Sequence, residues 1–367
     1  MAFEVGAPLT LLDVPEPAVG PRDVLVRVSA SGICRTDLSM INGLTPLPLP
    51  MVPGHEACGV VERVGDEVRR VRVGDRVLSS VTPACGACWW CVNGMSNHCE
   101  LNATVKHAPR FDLGGGRWAV AGCGCGSFAE AMVVDEASVV PVRTDLPDEQ
   151  LALLGCGVTT GLGAALNTAG VTPGSSVAVI GCGGVGQSVI QGAHIAGAAV
   201  VIAIDPVASR REACARVGAT HLIDPSDGTA VEQVRALTGG RGVDFSFEAV
   251  GRSALLVQAF DMARKEGTVT FVGMPPVGEQ LTLPATGAIF SGKRMVGSVV
   301  GGAQILRDFP RFIRLAEAGR LDLESMISNR IKLDEINDGI SLVERADGVR
   351  TVVTARPATR AHFDPAN

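Results

Sequence analysis

The sequence predicts an α/β protein built from two unlike units: a β-barrel-like unit and a doubly wound parallel sheet. Three observations carry this. Residues 24–141 read as short β-runs broken by Gly and Pro. From about Cys156 onward, strands alternate with helices at the spacing of βαβ units. Between one such strand and helix stands the glycine turn Gly181-Cys182-Gly183-Gly184-Val185-Gly186.

In the first unit the runs are Val24–Val28, Gly59–Val64 and Asp75–Leu78, rich in valine and bounded by turn residues. In the second, Val177–Ile180 leads through the glycine turn into a helix from about Val185 to Ala196. Strand Val200–Ile204 and a helix around Ser209–Val217 follow, then strands His221–Ile223, Val243–Glu248 and Gly267–Val272. The chain then turns helical over Ile305–Glu317 and ends in a β-like run, Arg350–Ala355, expected to return to the first unit. The expected division is therefore 1–157 completed by 300–367, against 158–299.

With 46% hydrophobic and 19% charged residues, the 367-residue chain has the balance of a folded globule rather than a disordered one. A net charge of −6 and the lack of any basic run argue against a nucleic-acid partner. No leader peptide is apparent, and no apolar stretch is long enough to span a bilayer. Eleven cysteines, an odd number clustered where a metal could sit, point to a reducing, cytoplasmic setting.

Cys85, Cys88, Cys91 and Cys99 form a C-x2-C-x2-C-x7-C run. Thiolates at this spacing can converge on one tetrahedral cation, the closed structural Zn2+ site. Pro83, Gly86 and Gly94 permit the turns required. Disulfides and unrelated buried thiols are the alternatives. His98, beside Cys99, is a weaker candidate ligand.

The glycine turn carries a second chemistry. Gly181 makes the turn, Gly183 lets backbone approach a pyrophosphate, and Gly186 allows close helix–sheet packing, while Gly184 and Val185 open the helix. Asp205 ends the second strand, 19 residues past Gly186, where a carboxylate can accept from adenosine ribose hydroxyls. It repels a 2′-phosphate, which favours NAD; Arg210 and Arg211 keep NADP open. Asp205 could instead merely cap the next helix.

Three further segments hold metal-capable side chains: Cys34-Arg35-Thr36-Asp37, His55-Glu56, and Cys156 between two glycines. Two sulfurs and an imidazole suit a catalytic zinc with one open position, although spacing alone does not bring them together. Together with the quartet, the glycine turn, Gly242–Glu248 and Val349-Arg350-Thr351, these segments resemble the zinc-containing alcohol dehydrogenases of the medium-chain dehydrogenase/reductase superfamily. The resemblance runs nearly end to end. It implies a GroES-like catalytic unit, a Rossmann cofactor unit, and two zinc ions per chain, one catalytic on Cys34, His55 and Cys156 and one structural on the quartet. It further implies that Glu56 assists ligand exchange, Asp37 orients His55, and Thr36 bonds the substrate oxygen. Arg35 and Arg350 would clamp the cofactor pyrophosphate, Thr160 would meet the nicotinamide side, and Val81 and Met274 would border the substrate pocket. The implied activity is hydride transfer between NAD and a primary alcohol or aldehyde in a homodimer or homotetramer. The alternatives are oxidation of a thiol–formaldehyde adduct, or turnover on a tightly held cofactor.

Two departures matter. Ser39 stands where many relatives carry a proton-relay histidine, which mildly favours aromatic or allylic alcohols. Cys123 and Cys125 lie in a glycine-rich stretch and read as packing cysteines, with a place in the substrate channel as the alternative. His107, His194, His221 and His362 carry no motif.

Overall fold

The computed structural model describes residues 1–106 and 108–354; His107, His362 and the expected strand end at Ala355 lie outside them. Strand Asp23–Ile33 is the hub of the first sheet. Its first half is mostly valine and leucine and its second half mostly small residues, and most of them are buried, so it can be covered on both faces while pairing along its whole length. One edge pairs with Glu56–Val64; the other is shared by Ala131–Asp135 on its first half and Arg350–Thr354 on its second. The order is Ile327–Ile331, Arg350–Thr354, Asp23–Ile33, Glu56–Val64, Arg76–Ser79, Val139–Pro141. The expected barrel is therefore open: among the described residues no ladder joins its outer strands.

Register fixes what meets at the end of the hub strand. Gly32 is opposite Glu56 on one side and Val352 on the other. A Cβ on Gly32 would lie 2.2 Å from a Glu56 carboxylate oxygen, so glycine here lets that side chain fold over the strand. Cys34, His55 and Arg350 are thereby delivered to one place from three parts of the sequence.

The second sheet is six-stranded and all parallel, in the order His221–Ile223, Val200–Ile204, Ser176–Ile180, Val243–Glu248, Ala263–Phe271, Arg294–Gly297. Numbered along the chain this is 3-2-1-4-5-6, the doubly wound order that opens a crevice beyond the carboxyl end of its first strand. The helix expected near 185–196 spans Gly184–Ile195, and that at Ile305–Glu317 has those bounds.

A bent helix joins the two sheets. Asp148–Gly155 and Gly157–Ala169 meet at 59°, with Cys156 at the break. Leu151, Leu153, Leu154, Val158 and Leu162 from this element pack with Phe309, Phe312 and Met326 in one buried cluster. Each such side chain contributes on the order of 2 kcal/mol through burial, so this core locks the first sheet to the bend, while Ala164 and Ala165 farther along the same element pack against Val177, Val179 and Phe247 of the second. Among the described residues no single helix is long and apolar enough to cross a membrane.

Candidate active site

The ligand atoms of Cys34, His55, Glu56 and Cys156 lie within 4.8 Å of one another. Asp37, fully buried, organises the group: one carboxylate oxygen accepts from Cys34 N at 2.9 Å, the other from Gly54 N at 2.9 Å and His55 Nδ1 at 3.0 Å. An ionised carboxylate only accepts, so the ring proton sits on Nδ1 and the lone pair on Nε2. That Nε2 is buried without a hydrogen-bond partner. A buried, unpaired imidazole nitrogen beside two sulfurs is costly unless a cation takes the lone pair, and this donor set fits Zn2+ with an open position. The two thiols share one hydrogen bond, which holds Cys34 well below the usual thiol range and pushes Cys156 well above it.

Glu56 forms an ion pair with Arg350 and accepts from Gly157 N at 3.0 Å. Burial pushes its carboxyl up to about 7, against the pull of the guanidinium. Arg350 runs between Gly157 and Gly184; a Cβ at either would lie 2.5 Å from its side chain. Thr36, half-buried, stands in the first turn of the helix Arg35–Ile41. Ser39 Oγ in that helix donates to the Arg35 carbonyl at 3.1 Å. Cys125 is fully buried, and Cys123 Sγ lies 3.7 Å from Met40 Sδ, which suits packing.

In the quartet, Cys85 and Cys91 Sγ are 3.9 Å apart, as are Cys88 and Cys99 Sγ. Sulfurs bound tetrahedrally at about 2.3 Å stand about 3.8 Å apart, whereas a disulfide needs about 2.05 Å. All eleven cysteines are free. Amides of Ala87 and Cys88 donate to Cys85 Sγ, and that of Cys85 to Cys99 Sγ, each at 3.4 Å. Backbone amides, that of Glu100 foremost, pull Cys88 down to about 6, while burial pushes Cys91 up to about 12. Four adjacent thiols cannot all ionise unaided, and a central cation removes that conflict. His98 instead packs its ring against Trp90.

This lobe docks on the segment 299–304: Asn97 Nδ2 donates to Val299 O at 3.3 Å, and Gln304 Nε2 to Gly94 O at 2.7 Å. Gly301, left-handed at φ 67°, sits so close to the helix after Cys156 that a Cβ would lie 2.5 Å from Thr159 O. Thr160 lies on that helix, half-exposed. No local pattern announces this docking, because its partners are ordinary polar residues far apart in the chain.

In the glycine turn, Gly181 has φ 93° and a Cβ on Gly186 would lie 1.7 Å from Gly181 O, whereas a Cβ on Gly183 meets nothing within 4 Å. First and third glycines are thus required by packing, and the second borders open space at a helix N-terminus with free amides. Asp205 accepts from Cys182 N and Val207 N, both at 2.8 Å, so it ties the turn to its own strand end. Arg211 bonds Asp205 O and pairs with Asp224; Arg210 and Arg35 donate to carbonyls of residues 343–348. Val81 is buried and Met274 is 59% exposed, its backbone against Gly251. Glu248 went unassigned in the sequence. It ends its strand with one carboxylate oxygen accepting from Val250 N and Gly251 N and so shapes the crevice rim. An acid at the end of its strand was the available clue.

Fold and site together define a two-unit, zinc-binding dehydrogenase. Residues 20–144 match the alcohol dehydrogenase GroES-like domain and residues 184–318 the zinc-binding dehydrogenase domain. The chain belongs to the zinc-containing alcohol dehydrogenases of the medium-chain dehydrogenase/reductase superfamily, and is an oxidoreductase. It is 38% identical to the NDMA-dependent alcohol dehydrogenase of Amycolatopsis methanolica, over 91% of this chain and 92% of that protein. It is 35% identical to the S-(hydroxymethyl)glutathione dehydrogenase of Synechocystis, over 96% and 98%. The crystal structure of benzyl alcohol dehydrogenase from Acinetobacter calcoaceticus superposes with a TM-score of 0.90 at 31% identity, covering 96% of this chain and 97% of that one.

Proposed function

We propose that the protein is an NAD-dependent dehydrogenase with two zinc ions per chain, interconverting a primary alcohol, aromatic or allylic, and its aldehyde. The orphaned Nε2 of His55, beside Cys34 and Cys156 and across Arg350 from the glycine turn, carries this reading. When bound, zinc supplies a Lewis acid at the substrate oxygen, and nicotinamide exchanges the hydride. The chain's own residues do the positioning. Asp37 keeps the His55 lone pair on Nε2. Glu56, held by Arg350 and Gly157 N, places negative charge at the edge of the ligand set, where it can assist ligand exchange. Thr36 bonds the substrate oxygen, taking its proton as it hands its own on to water or Ser39. Amides at Gly184–Gly186 and Arg350 meet the pyrophosphate, Thr160 faces the nicotinamide side, and Asp205 meets the adenosine ribose. Val81, small in a buried wall, leaves room for a ring, and Met274 closes the pocket rim. The division into units falls at the Cys156 bend, 1–157 with 300–367 against 158–299, and we place the protein in the cytoplasm.

A panel of benzylic, allylic and simple alcohols, read by NADH absorbance with zinc stoichiometry, tests the centre of this proposal. Absence of activity on every alcohol and aldehyde defeats it. The relatives from Amycolatopsis and Synechocystis favour a second reading, a retained cofactor or a thiol–formaldehyde adduct. NAD released only on denaturation, or dependence on an added thiol, selects it.

Two substitutions separate the glycine roles. Gly183→Ala, with open space and φ −73°, is expected to leave stability unchanged and weaken NAD about tenfold. Gly186→Ala drives a Cβ into Gly181 O and is expected to cost about 1–3 kcal/mol of stability by thermal melting. Equal effects of the two on stability would contradict the assignment.

Ser39 spends its hydroxyl proton on Arg35 O, so it is poorly placed to donate. Ser39→His is expected to add an inflection near pH 6.5 to hydride transfer, since imidazole can hold the proton there. A pH profile identical to wild type, with hydride transfer rate-limiting, counts against the relay.

We also propose a homodimer or homotetramer. The edge strand Arg294–Gly297 and the neighbouring Ile289 and Phe290, each 77% exposed, leave pairing capacity and apolar surface unspent. Light scattering on the full chain measures it.

A further inference from the structure

Arg210 lies five residues beyond Asp205, in the first turn of the helix Ala208–Arg216. Its Nη2 donates to the carbonyls of Ala346 at 2.9 Å and Gly348 at 3.2 Å. Those carbonyls belong to the turn that ends the helix Ile336–Glu344. There Asp347 N donates to Leu342 O at 2.9 Å and Ala346 N to Val343 O at 3.2 Å, the paired bonds of a Schellman cap. Such a cap needs one left-handed residue. Here it is Ala346, φ 58°, in place of the glycine that adopts this conformation without penalty. Bonds from outside therefore help to hold the turn. Arg210 supplies two, and Arg35 Nη1 adds one to Val343 O at 3.3 Å.

Two residues past Gly348, Arg350 opens the last strand, crosses Gly184 at the head of the glycine-turn helix, and pairs with Glu56. So short a connection means that displacing the turn displaces Arg350.

We propose that Arg210 is a positioning residue for the cofactor site: by fixing the turn 345–349 it sets where Arg350 stands at the pyrophosphate end. This rests on the dinucleotide reading given above. The competing role is direct contact with the adenosine end, for which the buried, unbonded Nε of Arg210 would serve.

Calorimetric binding of AMP and ADP-ribose distinguishes them, because AMP lacks the pyrophosphate that Arg350 would meet. Arg210→Met is expected to weaken ADP-ribose about tenfold, the scale of one charge-assisted hydrogen bond, and AMP less than about twofold. Arg210→Lys, which keeps a donor, falls between. Adding Ala346→Gly to Arg210→Met gives the turn a residue at ease in the left-handed region and is expected to recover part of the ADP-ribose affinity. Equal losses for AMP and ADP-ribose, unchanged ADP-ribose binding, or no recovery in the double variant each overturn the proposal. If wild-type protein binds neither ligand, the dinucleotide reading itself fails, a result distinct from all three.

Discussion

Replacing His55 with alanine is expected to leave a folded protein with one zinc per chain and NAD-linked turnover reduced at least about 10³-fold, because the Lewis acid is worth several kcal/mol of transition-state stabilisation. The fold should tolerate the change. Asp37 keeps its bonds to Cys34 N and Gly54 N, so the two segments that carry Cys34 and residue 55 stay tied to each other. What disappears is the one nitrogen in the cluster, leaving two thiols that already compete for a proton. Asp37→Asn is a milder companion. It keeps the shape but loses the charge that orients the imidazole, and roughly 10–100-fold in metal affinity or turnover is expected. Metal analysis and steady-state rates check both. Two zincs with near-wild-type turnover in His55→Ala would remove the catalytic-metal assignment.

Cys91→Ala in the quartet should act on stability first. A closed thiolate site stores its binding free energy as folding free energy, so losing one ligand and the ion is expected to lower the melting temperature by roughly 5–10 °C. The damage should spread along a definable route. The lobe holds 299–304 through Asn97 and Gly94, and that segment abuts the helix after Cys156 at Gly301. Turnover per catalytic zinc should therefore fall as well, but far less than for His55→Ala. An unchanged melting temperature with full loss of the second zinc would show that the quartet does not brace the fold.

Periodicity and turn chemistry made much of this architecture readable. Val177–Ile180, the glycine turn and Val200–Ile204 each pointed to the same βαβ unit, and the doubly wound order followed. The quartet was equally legible, because a metal knuckle is a local object. Convergence of Cys34, His55 and Cys156 could not be read from spacing and came only as what the resemblance implied. It depends on Gly32 pairing with Glu56 and Val352 at once, and such register is set by distant strands rather than by any window of sequence. Arg35 and Arg210 show a different limit. The resemblance implied a phosphate role for Arg35, and closeness to Asp205 left one open for Arg210, yet the carbonyls at the end of the helix Ile336–Glu344 compete for the same donors. Glu248 and the 299–304 contact were hidden because their work is hydrogen bonding to backbone, which leaves no compositional trace.

The hub strand also imposes an order on the life of the chain. Glu56 and the arginine it pairs with are 294 residues apart, and the final strand completes the sheet on which the metal cluster rests. Glu56, beside His55, goes without its counter-charge until the strand Arg350–Thr354 has joined the sheet. A catalytic centre assembled this way cannot be finished on a half-made protein. Cys34, His55 and Cys156 all precede the strand Arg350–Thr354, so what that strand adds is the guanidinium that fixes Glu56 rather than another donor.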